Sequence, residues 1–317
     1  MRISNIYKFC LLLTTRENMK LTMKLSMIAI GAFVLIGALG FAYWTSNGST
    51  SSGKLSVVVT LLPYEDFVEH VGGERIGTIT DIVPIQAGCG HDYEMTPNQM
   101  KAVSGAQVYF TVGAGHEFEE VNLERIHEQN PDMTIVDTSQ GISLLTITEG
   151  DDAGATNPHV WTSPRNAIII VKNICDGLIK IDPAGTSIYE ANRDAYITQL
   201  SQLDNDTQQA LQPYTNRTFC IYHPAWPYFA RDYHLTQLPI EEVEEQAPSP
   251  QRIQHVIDEA KALNLTVVYR SPVDDPSSSE TVAEALGGQV VVINHMAENY
   301  IDNIHTVTAE LVKGFQG

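Results

Sequence analysis

A chain of 317 residues is long enough for two medium-sized α/β lobes with cores of their own. Hydrophobic residues make up 43% and charged residues 18%, the composition of a globular protein rather than a disordered or collagen-like one. With 38 acidic against 19 basic residues the formal net charge is −19, which argues against nucleic acid as a partner and suits either a soluble surface or the gathering of cations.

The N-terminus reads as a targeting segment. Lys20 and Lys24 precede an apolar run from Met27 to Trp44, a basic region before an apolar core. At about 18 residues the run is at the lower limit for spanning a bilayer. Tyr43 and Trp44 suit a membrane interface, and the basic side predicts that the body lies outside the cytoplasm, at the cell surface or in the periplasm. Residues 1–53 are thus expected to be a cleaved signal or an uncleaved anchor with a Ser/Thr/Gly-rich spacer, and Met23 is an alternative start. No Cys follows the apolar run to carry a lipid anchor. Cys89, Cys175 and Cys220 are an odd set for an exported protein and predict no complete disulfide framework; Cys175 and Cys220 fit buried packing positions.

From residue 54, short β-branched runs alternate with helical patterns. Strands are predicted at Leu55–Leu61, Thr78–Val83, Val108–Val112 and Thr134–Asp137, with helices at Tyr64–Val71, Thr96–Val103 and Phe118–Glu128. Ala167, Ile170, Val171, Ile174 and Leu178 repeat at helical spacing. A longer helix is predicted over Ser187–Leu211, roughly 35 Å at 1.5 Å per residue, a rigid connection between lobes. The alternation then restarts. Strands are expected at Thr218–Tyr222, Leu235–Leu238, Thr266–Tyr269 and Val290–Ile293, and helices at Pro250–Leu263, Ser278–Leu286 and Tyr300–Phe315. The expected architecture is two lobes, 54–183 and 214–317, each a four-stranded mainly parallel sheet flanked by helices, joined by one long helix over 184–213.

Three of the ten histidines stand where a strand gives way to a loop. His91 lies in Gly-Cys-Gly-His-Asp-Tyr-Glu, His159 in Asn-Pro-His-Val-Trp, and His223 in Tyr-His-Pro-Ala-Trp. Ligands of open α/β sheets bind beyond the carboxyl ends of the strands. Any one of these histidines alone reads as a solvated or hydrogen-bonded loop residue; three together raise the reading of an interlobe metal site.

At these residues the chain resembles the metal-binding substrate-binding proteins of zinc/manganese ABC importers, a family that includes zinc-uptake receptors and adhesin lipoproteins. The resemblance spans residues 54–317. It rests on His-Asp-Tyr-Glu-x-Thr-Pro at 91–97, Asn-Pro-His-Val-Trp at 157–161 and Tyr-Glu-Ala-Asn-Arg at 189–193. His-Pro-Ala-Trp-Pro-Tyr-Phe-Ala-Arg-Asp-Tyr at 223–233 and Pro-Ser-Pro at 248–250 continue the series. The resemblance implies a monomeric receptor, not an enzyme, which holds a metal ion between its lobes and hands it to an ABC permease and its ATPase. It places the ligands on His91, His159 and His223. Imidazole-rich sites suit Zn²⁺, whereas Mn²⁺ prefers more carboxylate oxygen, so zinc is expected over manganese.

The fourth ligand departs from the family pattern. Where many relatives place Asp after the last strand, this chain has Asn294 followed by His295. Water, Asn294, His295 or the thiol of Cys89 are the candidates. The acidic run Glu241, Glu242, Glu244 and Glu245 is read first as a solvated face, and second as a funnel or as a carboxylate partner of a liganding histidine. His116 is read as a surface loop residue. Two rivals stay open: a zinc hydrolase with Glu94 or Asp92 as general base, and a receptor for a metal chelate.

Overall fold

Val57, Val58, Val59 and Leu61 are all sealed from solvent although alternate side chains point to opposite faces, the mark of a strand covered on both sides. The computed structural model describes residues 53–88, 90, 93–147, 153–215, 217–241 and 247–316. The apolar run 27–44 lies outside them. Among the described residues no helix is long and apolar enough to cross a membrane.

The first sheet holds β1 (Leu55–Leu61), β2 (Ile76–Val83), β3 (Val108–Thr111) and β4 (Thr134–Asp137) in the order β2-β1-β3-β4. All its pairings are parallel, with Val57 opposite both Ile79 and Val108. Around it lie α1 (Pro63–Gly72), α2 (Pro97–Gly105), α3 (Glu117–Gln129) and α4 (Pro164–Ile181). The second sheet repeats the plan with β5 (Thr218–Ile221), β6 (Thr236–Pro239), β7 (Val267–Arg270) and β8 (Gln289–Val292) in the order β6-β5-β7-β8, again all parallel. Its helices are α6 (Pro227–Tyr233), α7 (Pro250–Ala262), α8 (Pro276–Leu286) and α9 (Tyr300–Gln316), the linking helix α5 (Thr186–Leu211) lying between the lobes in sequence.

Local chemistry explains where the helices begin. Pro stands in the first turn of α1, α2, α4, α6, α7 and α8, where its fixed φ fits and its missing N–H is not needed. Thr96, Ser163, Ser249 and Asp275 cap four of these starts through their side-chain oxygens. Thr96 forms a capping box with Gln99, whose amide also donates to the carbonyl of Ile82 at 2.6 Å and so ties α2 to the end of β2. The short α6 escaped the sequence analysis because seven residues give no readable helical period.

At 26 residues α5 runs about 39 Å and buries Tyr189, Tyr196, Leu200, Leu203, Thr207 and Leu211 along one side. Asn192 donates to the carbonyl of Val71 and Tyr196 bonds Asp66, both on α1, while Thr207 meets Thr308 on α9. One continuous hydrophobic core therefore passes from β1 through α5 to Phe315, with a smaller cluster behind the second sheet around Cys220, Val256 and Val268. Phe67 sits in the shared part, its ring 4.8 Å from that of Tyr300. Lobes joined through a common close-packed core resist large hinge rotation, because opening would expose that apolar surface. Cys175 and Cys220 are buried free thiols, as their apolar surroundings predict.

Candidate metal centre

Each sheet reverses its strand order beside its first strand, so a crevice opens at the carboxyl ends of β1 and β3 and of β5 and β7. His223 stands two residues past β5. The pairing of β5 with its neighbours continues beyond the strand: Ile240 N–H donates to Ile221 O and Glu241 N–H to Tyr222 O, at 2.8 and 3.1 Å. That extension carries Glu241 alongside His223. Its carboxylate Oε2 lies 2.7 Å from His223 Nδ1, and both residues are buried. The reading of Glu241 as part of a solvated face is corrected here, because backbone pairing turns it inward; Glu242, Glu244 and Glu245 lie outside the described residues.

His159 is set by the segment before it. An antiparallel bridge between Thr146 and Thr156, with Asn157 N–H donating to Leu145 O at 2.8 Å, brings the chain up to Asn157. Asn157 Oδ1 then accepts from the backbone N–H of His159 at 3.0 Å and faces its Nδ1 at 3.1 Å. The backbone group must donate, so the atom is the amide oxygen, and Nδ1 of His159 carries a hydrogen.

His295 follows β8 through a turn. Asn294 Oδ1 accepts from Met296 N–H at 2.8 Å, and Asn294 O accepts from the Asn303 amide at 2.6 Å. The side chain of Asn294 is thereby engaged in the turn, and His295 enters the crevice. Among the described residues, His159, His223 and His295 form a group whose ring nitrogens, one from each, lie within 4.8 Å of one another. The Nε2 atoms of His159 and His223 are 3.0 Å apart, and the three ring centroids are separated by 5.0, 5.4 and 6.0 Å. Two nitrogens bound to one Zn²⁺ at about 2.0–2.1 Å in tetrahedral geometry would be about 3.3 Å apart, so little movement separates this arrangement from a chelating one. All three residues are at most 7% exposed.

The two lobes are strapped together at this point. The Trp161 indole N–H donates to His295 O at 2.7 Å, and the Tyr300 hydroxyl donates to Trp161 O at 2.8 Å. On the other side the Tyr228 hydroxyl donates to Asn157 O at 2.7 Å and Ser163 bonds Asp232. Trp161 packs 5.2 Å from the His159 ring, whereas Trp226 packs on Phe229. A cavity of about 480 Å³ leads to the histidines and is lined by Gln86, Gly88, His223, Glu241, Asp274 and His295. Burial pushes the Asp274 carboxyl above its ordinary value, though Ser271 N–H and nearby His223 favour the ionised form.

Of the residues singled out in the sequence, the structure brings His159, His223 and His295 together and leaves Asn294 in its turn. His91, Cys89 and Asp92 lie outside the described residues, and Glu94 is exposed. His116 is corrected from a surface residue to a buried one, 1% exposed, at the start of α3. Glu241 was legible only as one of an acidic run; its distinguishing feature is the β5–β6 pairing, which no local pattern reveals.

Comparison with known proteins supports the same class. The family described as the zinc-uptake complex component A, periplasmic, matches residues 57–314. The manganese-binding lipoprotein MntA of Halalkalibacterium halodurans is 31% identical over 269 residues, covering 81% of this chain and 87% of that protein. The high-affinity zinc uptake system protein ZnuA of Bacillus subtilis is 27% identical over 278 residues, covering 84% and 86%. The iron-binding protein YfeA of Yersinia pestis is 27% identical over 306 residues, covering 92% and 94%. A crystal structure of ZnuA superposes with a TM-score of 0.76 at 33% identity, covering 82% of this chain and 99% of that one. The chain belongs to this zinc-uptake component A family, the non-enzymatic, metal-binding substrate-binding proteins of ABC transporters.

Proposed function

We propose that this protein captures Zn²⁺ outside the cytoplasm and delivers it to the permease and ATPase of an ABC importer. The observation that carries the choice of metal is the convergence, among the described residues, of three buried imidazoles in a group that includes no carboxylate. Imidazole donors in a near-tetrahedral set favour Zn²⁺, while Mn²⁺ is better served by carboxylate oxygen. In this reading His159, His223 and His295 are ligands, and His91 completes the set. The relatives named for manganese and iron define the competing metals of the test. Metal content after purification from unsupplemented cells is expected to be dominated by zinc, with a zinc-edge anomalous peak between the three rings. Bound manganese or iron that excess zinc fails to displace would sink the zinc assignment.

We further propose the division into lobes 54–183 and 214–317 about the helix 184–213, and retention at the membrane through residues 27–44. Intact mass of the membrane-associated protein is expected to include that segment. A mass that begins beyond residue 44 would mark it as a cleaved signal.

A further inference from the structure

The carboxylate behind His223 adds a residue to the site. Glu241 is 4% exposed, and a carboxylate is expensive to bury unless its oxygens are satisfied. Its oxygen 2.7 Å from His223 Nδ1 can only accept, so Nδ1 carries the hydrogen and Nε2 is the atom left for a ligand. That Nε2 faces His159 Nε2 at 3.0 Å, on the side where His295 also stands. His159 has the same layout, with Asn157 Oδ1 behind its Nδ1. Both imidazoles are thus backed by an oxygen acceptor, but only the one behind His223 is a carboxylate.

On the reading that this cleft binds Zn²⁺, we propose that Glu241 is a positioning residue for metal capture, holding Nδ1–H of His223 so that Nε2 is presented to the cation. A carboxylate in this role fixes the ring's tautomer and orientation and makes its free nitrogen a stronger donor. Its buried negative charge also offsets part of the double charge of the ion where water does not screen it.

The test uses the full chain with Zn²⁺ alone as probe. Zinc affinity is measured by chelator competition, and the His223 tautomer by ¹⁵N NMR, in wild type, Glu241→Gln and Glu241→Ala, with His223→Ala as reference. Glu241→Ala is expected to weaken zinc about 10- to 100-fold and to release His223 from its single tautomer. Glu241→Gln, whose amide oxygen still accepts from Nδ1–H, is expected to keep the tautomer and fall between Glu241→Ala and wild type. Affinity within twofold of wild type in Glu241→Ala, with the tautomer unchanged, overturns the proposal. So do equal losses in both variants that merely follow an equal fall in the melting midpoint of the metal-free protein. Wild-type zinc affinity in His223→Ala would instead overturn the reading of the site itself.

Discussion

His159→Ala is expected to weaken zinc binding by about a hundredfold or more. Structural zinc sites release about 10–16 kcal/mol on binding. Shared among four ligands, that is about 3 kcal/mol each, and each 1.4 kcal/mol is a factor of ten. His159 is a demanding position to lose because its Nε2 lies 3.0 Å from that of His223, inside the converging group. The fold should survive, since Trp161 and Asn157 keep their bonds across the cleft. Thermal unfolding gives a second readout. Zinc at a thousand times its Kd stabilises the wild type by about 4 kcal/mol, on the order of 10 °C in melting midpoint for a chain of this size. After a hundredfold loss the same zinc concentration is only about ten times Kd, so His159→Ala should keep about a third of that shift or less. The wild type should lose zinc below about pH 6 as protons compete for the same nitrogens. An unaltered zinc titration in His159→Ala would remove the metal site from this cleft.

The second large effect separates two adjacent residues. His295→Ala is expected to cost about as much as His159→Ala, whereas Asn294→Asp should leave zinc affinity within about threefold, the range of changes that touch no critical contact. The reason is geometric. Asn294 spends its side-chain oxygen on Met296 N–H, a bond that Asp can also make, while His295 alone of the pair reaches the other two histidines. His295→Asp is expected to narrow the preference for zinc over manganese, because it supplies the carboxylate oxygen that manganese favours. Titration of zinc and manganese into the three variants decides the matter. A large gain in metal affinity from Asn294→Asp, with His295→Ala near wild type, would mean that the turn opens and the ligand is residue 294.

Much of the framework is written in short stretches of the chain. Among the described residues the eight expected runs became eight strands. Two match at both ends, two differ by one residue at one end, three by one residue at each end and one by two residues at its start, and the long helix begins one residue early. Those features are encoded within a dozen neighbouring residues, through side-chain periodicity, Pro in the first turn and capping oxygens. His159 and His223 were legible for the same reason, each lying beside its own strand end or loop motif. Tertiary structure alone decided which of Asn294 and His295 enters the cleft, because that depends on a turn locked by Asn303 from α9. It alone buried His116, and it alone turned Glu241 from one acidic residue in a run into the partner of His223. In each case the deciding contact joins segments distant in sequence or fixes the register of separate strands, and such pairings leave no periodic trace in either segment alone.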